Sequence, residues 1–246
     1  MTLMSTPPPN HLAGYDQKIL DLIKVGNYER ALWIAEEALE YSRSHFGKSH
    51  LETAKTMNNL AWIYDLLQRH ADAERLYLQV IALKKSICGD TAVELVTTLE
   101  NLKSLYLHLE QYGKAEKALR ELIKIVNSKI EPWFLREAVY LCELAEVYEK
   151  MAKLALAEAC YQQSAAFIEG TMPLDHPNLG RVFARLADFY VRQGKYQRAK
   201  FYYFRAYRIM KRKLSSKNPD IQHANAGLAM LQSFFPDAEP TRAEEE

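Results

Sequence analysis

Glycine and proline are scarce, nine of each in 246 residues, and three of the prolines are consecutive at Pro7, Pro8 and Pro9. A chain so poor in breakers cannot make the many tight turns of an all-β fold, so helix is favoured before any pattern is read. Cysteine is scarcer still. Cys88, Cys142 and Cys160 are an odd number at unrelated spacings, which argues against a disulfide framework or a zinc site and fits a reducing compartment. No run approaches the roughly 18 apolar residues of a membrane span. The first ten residues, MTLMSTPPPN, have neither the basic nor the apolar region of a secretory leader, so cytoplasmic residence is the expectation. No glycine-rich phosphate loop, metal-spaced Cys/His set or nucleophile elbow occurs. The expectation is therefore a non-enzymatic chain without cofactor or metal.

What the chain does have is a period. Alanines fall at Ala31, Ala73, Ala115, Ala157 and Ala199, leucines at Leu60, Leu102, Leu144, Leu186 and Leu228, and tyrosines at Tyr64, Tyr106, Tyr148 and Tyr190. All three tracks step by 42 residues without insertion or deletion. Within a unit the apolar spacing is helical. Leu60, Ala61 and Tyr64 make one stripe, and Ala73, Leu76, Tyr77, Val80 and Ile81 make the next after a short polar break. Each unit thus reads as two antiparallel helices, with Gly26 and Gly194 marking the turn in the first and last. The small alanine lets two helix backbones approach, and the aromatic fills the space beside it.

Unit boundaries carry their own signals. Gly47 and Gly89 are placed as helix-terminating glycines. Ser49-x-x-Glu52 and Thr91-x-x-Glu94 match capping boxes. Asp175 and Asn218 are N-cap candidates, the latter followed by Pro219 at the first helical position. His50 and His176 share a repeat phase, which marks them as boundary residues. The expected organisation is an N-terminal proline-rich disordered segment (1–9), five repeats (about 10–48, 49–90, 91–132, 133–174 and 175–217), a capping helix (218–236) presenting Leu228, Ala229 and Leu231 for packing, and a disordered acidic tail (237–246). A terminal cap is needed because each unit buries its apolar face only against neighbours.

The small-large pattern resembles the tetratricopeptide repeat (TPR), whose usual unit is about 34 residues. The longer unit here, with TMNNLAWIY from Thr56 to Tyr64, GKYQRAKFYYFRAYRI from Gly194 to Ile209 and LDHP from Leu174 to Pro177, looks like the kinesin-light-chain subfamily. The departures are Lys103 for the small residue after Leu102, Leu154 for the turn tyrosine, and no heptad coiled coil ahead of the repeats, so a stand-alone array is expected rather than a motor subunit. The resemblance implies an all-α, right-handed superhelical solenoid. It also implies a protein-binding scaffold whose concave face, lined by the first helix of each pair, holds a peptide or protein segment.

On that face the second repeat places Lys55, Asn59 and Trp62, and Asn59 recurs as Asn101. In the resembling family an asparagine at this place holds the ligand backbone, since an amide both donates and accepts; such asparagines can equally bond within the array. The fourth repeat places Glu143 and Glu146 there, and the fifth Arg181, Arg185, Asp188 and Arg192. Arg181 and Arg185 resemble the basic half of a carboxylate clamp, without its companion asparagine. The alternative is an ion network in which the glutamates of one repeat neutralise the arginines of the next.

The net charge of +1 hides an asymmetry: residues 181–217 hold twelve Lys or Arg against one acid, Asp188. Arg198, Arg205 and Arg212, seven residues apart, make a stripe that could face solvent, dock an acidic protein, or bind nucleic acid beside the aromatics Phe201–Tyr207. Tyr202, Tyr203 and Tyr207 fall at core phases, which weighs against nucleic acid.

Overall fold

A computed structural model describes residues 10–128 and 134–234. The proline-rich start (1–9) and the acidic tail (237–246) lie outside the described residues. The described residues form eleven α-helices, one short 3₁₀ turn and no strand. The chain divides into two compact units at residue 128.

The first unit holds three helix pairs: α1 (Asn10–Lys24) with α2 (Tyr28–Phe46), α3 (Leu51–Leu66) with α4 (His70–Cys88), and α5 (Val96–His108) with α6 (Tyr112–Asn127). The second holds α7 (Phe134–Lys150) with α8 (Leu154–Thr171), α9 (Pro177–Arg192) with α10 (Tyr196–Met210), and α11 (Pro219–Phe234). Within each unit successive helices pack against each other, and α3 touches α5 as α9 touches α11. First helices therefore share one side of each unit.

The 42-residue tracks are the core. All five alanines of the second-helix track have no exposed surface, and Leu60, Leu102, Leu144 and Leu186 are buried. Every intra-pair turn is built alike. Gly26, Gln68, Glu110, Ala152 and Gly194, again 42 apart, all have positive φ, between 54° and 74°. The next amide bonds back five residues, as Arg69 N to Tyr64 O at 2.8 Å and Lys153 N to Tyr148 O at 2.8 Å. That bond satisfies an orphan carbonyl at the helix end. Glycine supplies the left-handed turn in two repeats; the other three hold a residue with a side chain in it.

Boundary chemistry differs from the sequence reading in three places. The capping boxes do not form. His50 is the N-cap of α3, its Nδ1 accepting from Glu52 N at 3.1 Å, and a 3₁₀ turn at Val93–Leu95 precedes α5. Asp175 does not cap α9; His176 does, Nδ1 accepting from Asn178 N at 3.2 Å, while Asp175 pairs with Lys213. Asn218 does accept from Asp220 N, and Gly47 and Gly89 do end α2 and α4. The third difference is at α11, which packs through Ile221, Ala224, Gly227 and Leu231, leaving Ala229 exposed and Leu228 half-buried. Gly227 is required there, because a Cβ would sit 2.5 Å from Cζ of Tyr203.

Candidate functional site

In the second unit the first helices α7, α9 and α11 line two depressions. One, of about 330 Å³, has an apolar wall of Leu135, Ala138, Val139 and Val182, with Arg181, Arg185 and His223 among its polar lining. The other, of about 540 Å³, is bordered by Glu146, Glu149, Tyr161, Arg185, Asp188 and Arg192. On α7 the residues Leu135, Val139, Cys142, Glu146 and Glu149 recur at three and four, so one face changes from apolar to acidic along its length.

The charges are matched across helices. Arg192 donates to Glu149 through Nε and Nη2, both at 2.8 Å, and Arg185 lies 3.4 Å from Glu146. Arg181 Nε meets Asp220 of α11 at 2.7 Å, and His223 Nε2 lies 3.0 Å from both oxygens of Asp188, which also accepts from the Tyr203 hydroxyl. Burial holds the Glu146 carboxyl above its ordinary range, with Arg185 pulling the other way. Burial likewise raises the Cys142 thiol, which donates to Ser164 Oγ at 3.3 Å. A thiol held protonated is a packing group rather than a nucleophile.

In the first unit the candidate residues are also engaged. Asn59 Nδ2 donates to Asp16 at 2.8 Å, Asn101 Nδ2 lies 3.5 Å from Asn58 Oδ1, and Lys55 pairs with Glu52 at 2.6 Å. Trp62 is half-buried. Burial raises the Asp16 carboxyl against the Asn59 hydrogen bond.

Arg181 and Arg185 each have a carboxylate partner, so a clamp for a ligand carboxylate would have to displace Asp220 and Glu146. The basic stripe is also largely answered. Arg198 meets Glu158 at 3.2 Å, and Arg205 meets Glu169 at 3.3 Å with its guanidinium over Phe183. Arg212 is exposed. At least seven of the twelve cations from 181 to 217 face an acid, mostly on the preceding repeat. Asp220, His223 and Val139 were not singled out from sequence; the first two come from the capping helix, where they lie one repeat after Asn178 and Arg181.

Among the described residues no helix is long and apolar enough to cross a membrane, and no cluster of three metal-ligating side chains occurs. A tetratricopeptide-repeat family model matches residues 15–86 and 135–212. The chain belongs to the tetratricopeptide-repeat family.

No curated protein matches it. Among solved structures, this TPR chain is similar to a Podospora anserina kinesin-light-chain candidate with nearly identical TPR-like repeats. The TM-score is 0.71 at 19% identity, covering 85% of this chain and 100% of that one. It is also similar to BtubC (BKLC) from P. vanneervenii, with TM-score 0.65, 20% identity and 86% of each chain covered. PilF of Pseudomonas aeruginosa gives 0.53 at 18% identity, covering 92% and 93%. At these identities the likeness is one of fold, and it places the repeats beside kinesin-light-chain-like TPR structures.

Proposed function

We propose that this TPR protein is a non-enzymatic scaffold that holds an extended peptide or protein segment against α7, α9 and α11. The observation that carries this reading is the apolar depression at Val139. Val139 is about half exposed, in the middle of a helix face whose neighbours Ala138 and Cys142 are buried. Apolar surface left open among fixed polar groups is how peptide and ligand grooves are built. The ion pairs of Arg181, Arg185 and Arg192 serve as a rigid rim that orients the chain entering it. Glu146 and Asp188 complete that rim. Lys55, Asn59, Trp62 and Asn101 present the corresponding helix face in the first unit.

A random peptide library displayed on phage and selected on the full-length protein tests this. Enriched peptides that carry a recurrent apolar residue and no longer bind Val139→Arg support the groove. Enriched peptides that bind Val139→Arg as well as wild type remove it. Arg198 and Arg205 are spent on Glu158 and Glu169, so the reading does not extend to nucleic acid or to an acidic partner at the fifth repeat.

A further inference from the structure

Second helices do not all end alike. α2 and α4 run to Phe46 and Cys88, whose equivalent in the fifth repeat is Leu214, but α10 stops four residues earlier at Met210. Met210 is buried, and the three adjacent cations after it, Lys211, Arg212 and Lys213, are exposed. Lys213 pairs with Asp175 at 3.0 Å. Lys211, Arg212 and Lys217 are also exposed, and none of the three makes an ion pair among the described residues. They surround Ser215, which stands at the register position of Gly47 and Gly89, the residues just past the ends of α2 and α4. That position therefore lies outside a helix in three repeats.

From Lys211 to Asn218 the chain joins α10 to α11 through turns, and only Leu214 and Asn218 are half-buried. Its backbone bonds are local, as Leu214 N to Met210 O at 2.9 Å and Asn218 N to Ser215 O at 2.9 Å. Such a segment opens without disturbing the core, and an enzyme that modifies a side chain needs the backbone around it to open. Ser215 Oγ accepts from the Lys217 amide at 3.1 Å and donates to nothing among the described residues.

We propose that Ser215 is a phosphorylation site for a serine kinase that reads an arginine three residues before its acceptor, here Arg212. The Ser215 Oγ attacks the γ-phosphorus of ATP. The new P–O bond forms as the bond to the departing ADP oxygen breaks, and the hydroxyl proton passes to a carboxylate of the kinase. The product carries a charge of about −1.5 to −2, which supplies the acid that Arg212 and Lys217 lack. Their side chains can donate charge-assisted hydrogen bonds to it, and the Lys217 amide already points at the modified atom. Ser216 is the poorer acceptor, because the cation three residues before it is Lys213, engaged with Asp175. No proline follows either serine directly, and the nearest acids in sequence are Asp188 and Asp220. A proline-directed or acid-reading kinase therefore finds nothing to recognise. The site lies in the connection between α10 and α11 and does not rest on the groove reading.

The probe is the catalytic subunit of the cyclic-AMP-dependent protein kinase with MgATP, acting on the native full-length protein. A single phosphate mapped to Ser215 by mass spectrometry, absent in Ser215→Ala and retained in Ser216→Ala, is the expected result. Arg212→Ala should lower kcat/KM about tenfold or more, the loss of one charged contact to the kinase, without moving Tm. In ³¹P spectra the folded phosphoprotein should titrate below the same phosphoprotein in urea, where the midpoint is about 6. Lys217→Ala should bring the folded midpoint part of the way back. Phosphate that enters only the urea-unfolded protein, that maps to Ser216, or that enters Arg212→Ala at the wild-type rate would each overturn the site. Coincident midpoints for folded and unfolded phosphoprotein would overturn the pairing with Arg212 and Lys217.

Discussion

Arg192 of α9 and Glu149 of α7 are joined by two hydrogen bonds of 2.8 Å across 43 residues of sequence. The same 43-residue offset links Asn59 to Asp16 and Asn101 to Asn58. Each link reaches from one first helix to the first helix before it, one residue more than the repeat. A polar ladder therefore accompanies the apolar core on the first-helix side of both units, and its strongest rung is the forked one. Glu149 also accepts from the Tyr161 hydroxyl at 2.9 Å, a second contact that helps to hold the carboxylate in place.

Arg192→Ala should lower stability by about 1 kcal/mol, the upper range for a half-exposed pair. Arg192→Lys should recover little of this, since an ammonium cannot reproduce the two parallel bonds. Urea midpoints of the single and double variants with Glu149→Gln would measure the coupling. Additive effects would mean that the fork contributes nothing beyond its two ends.

The turn geometry predicts gains as well as losses. Ala152 sits at φ 56°, a left-handed conformation that costs a non-glycine residue about 1–2 kcal/mol. Ala152→Gly should stabilise by about 0.5–1 kcal/mol after the entropy lost to the more flexible unfolded chain. That corresponds to about 2 °C in Tm for a chain of this size. Gly194→Ala at the equivalent turn (φ 68°) should move Tm the opposite way. Melting curves in which both variants shift alike would contradict the left-handed assignment.

The 42-residue register was readable because buried small and large residues repeat without a gap, and Ala31 through Ala199 mark it directly. The left-handed turn was readable only where glycine occupies it, at Gly26 and Gly194, because Gln68, Glu110 and Ala152 adopt it under the pull of packing on both sides. The helix starts were misread because serine and threonine advertise a cap, whereas His50 and His176 perform it through a ring nitrogen. Ser49 and Thr91 match the motif in composition but sit out of phase with the first turn. At the candidate site, residues of the repeats could be placed on a face. Asp220 and His223 were missed although the register reaches them: Ile221, Ala224 and Leu231 are buried one period after Leu179, Val182 and Phe189, whereas the sequence reading took Leu228, Ala229 and Leu231 as the packing face.

The histidine caps make a separable prediction. His50→Ala and His176→Ala each remove the acceptor for an amide of the first turn and should cost about 1 kcal/mol. His50→Asn should restore most of the loss, because its side-chain oxygen can accept the same Glu52 amide. Amide exchange at Glu52 and Asn178 reads this locally. Unchanged protection there in the alanine variants would show that the caps are incidental.

Two glutamates should respond to acid in opposite senses. Glu74 accepts from Lys114 at 2.6 Å and from the Tyr106 hydroxyl at 2.9 Å. The Lys114 bond holds its carboxyl below the usual range, against the opposing effect of burial. Its stabilisation is present above the unfolded carboxylate pKa of about 4.3 and is lost as pH falls through the lower folded value. Glu74→Gln should therefore be less stable than wild type by about 1 kcal/mol near neutrality, with the gap closing on acidification. Glu146 is raised by burial, so its contribution is full below the unfolded pKa and is lost as pH rises through the folded one. Relative to wild type, Glu146→Gln should gain stability with rising pH. Denaturant midpoints of both variants across the carboxylate range check the signs, and parallel pH dependences would refute the assignment of Glu74 as paired and Glu146 as desolvated.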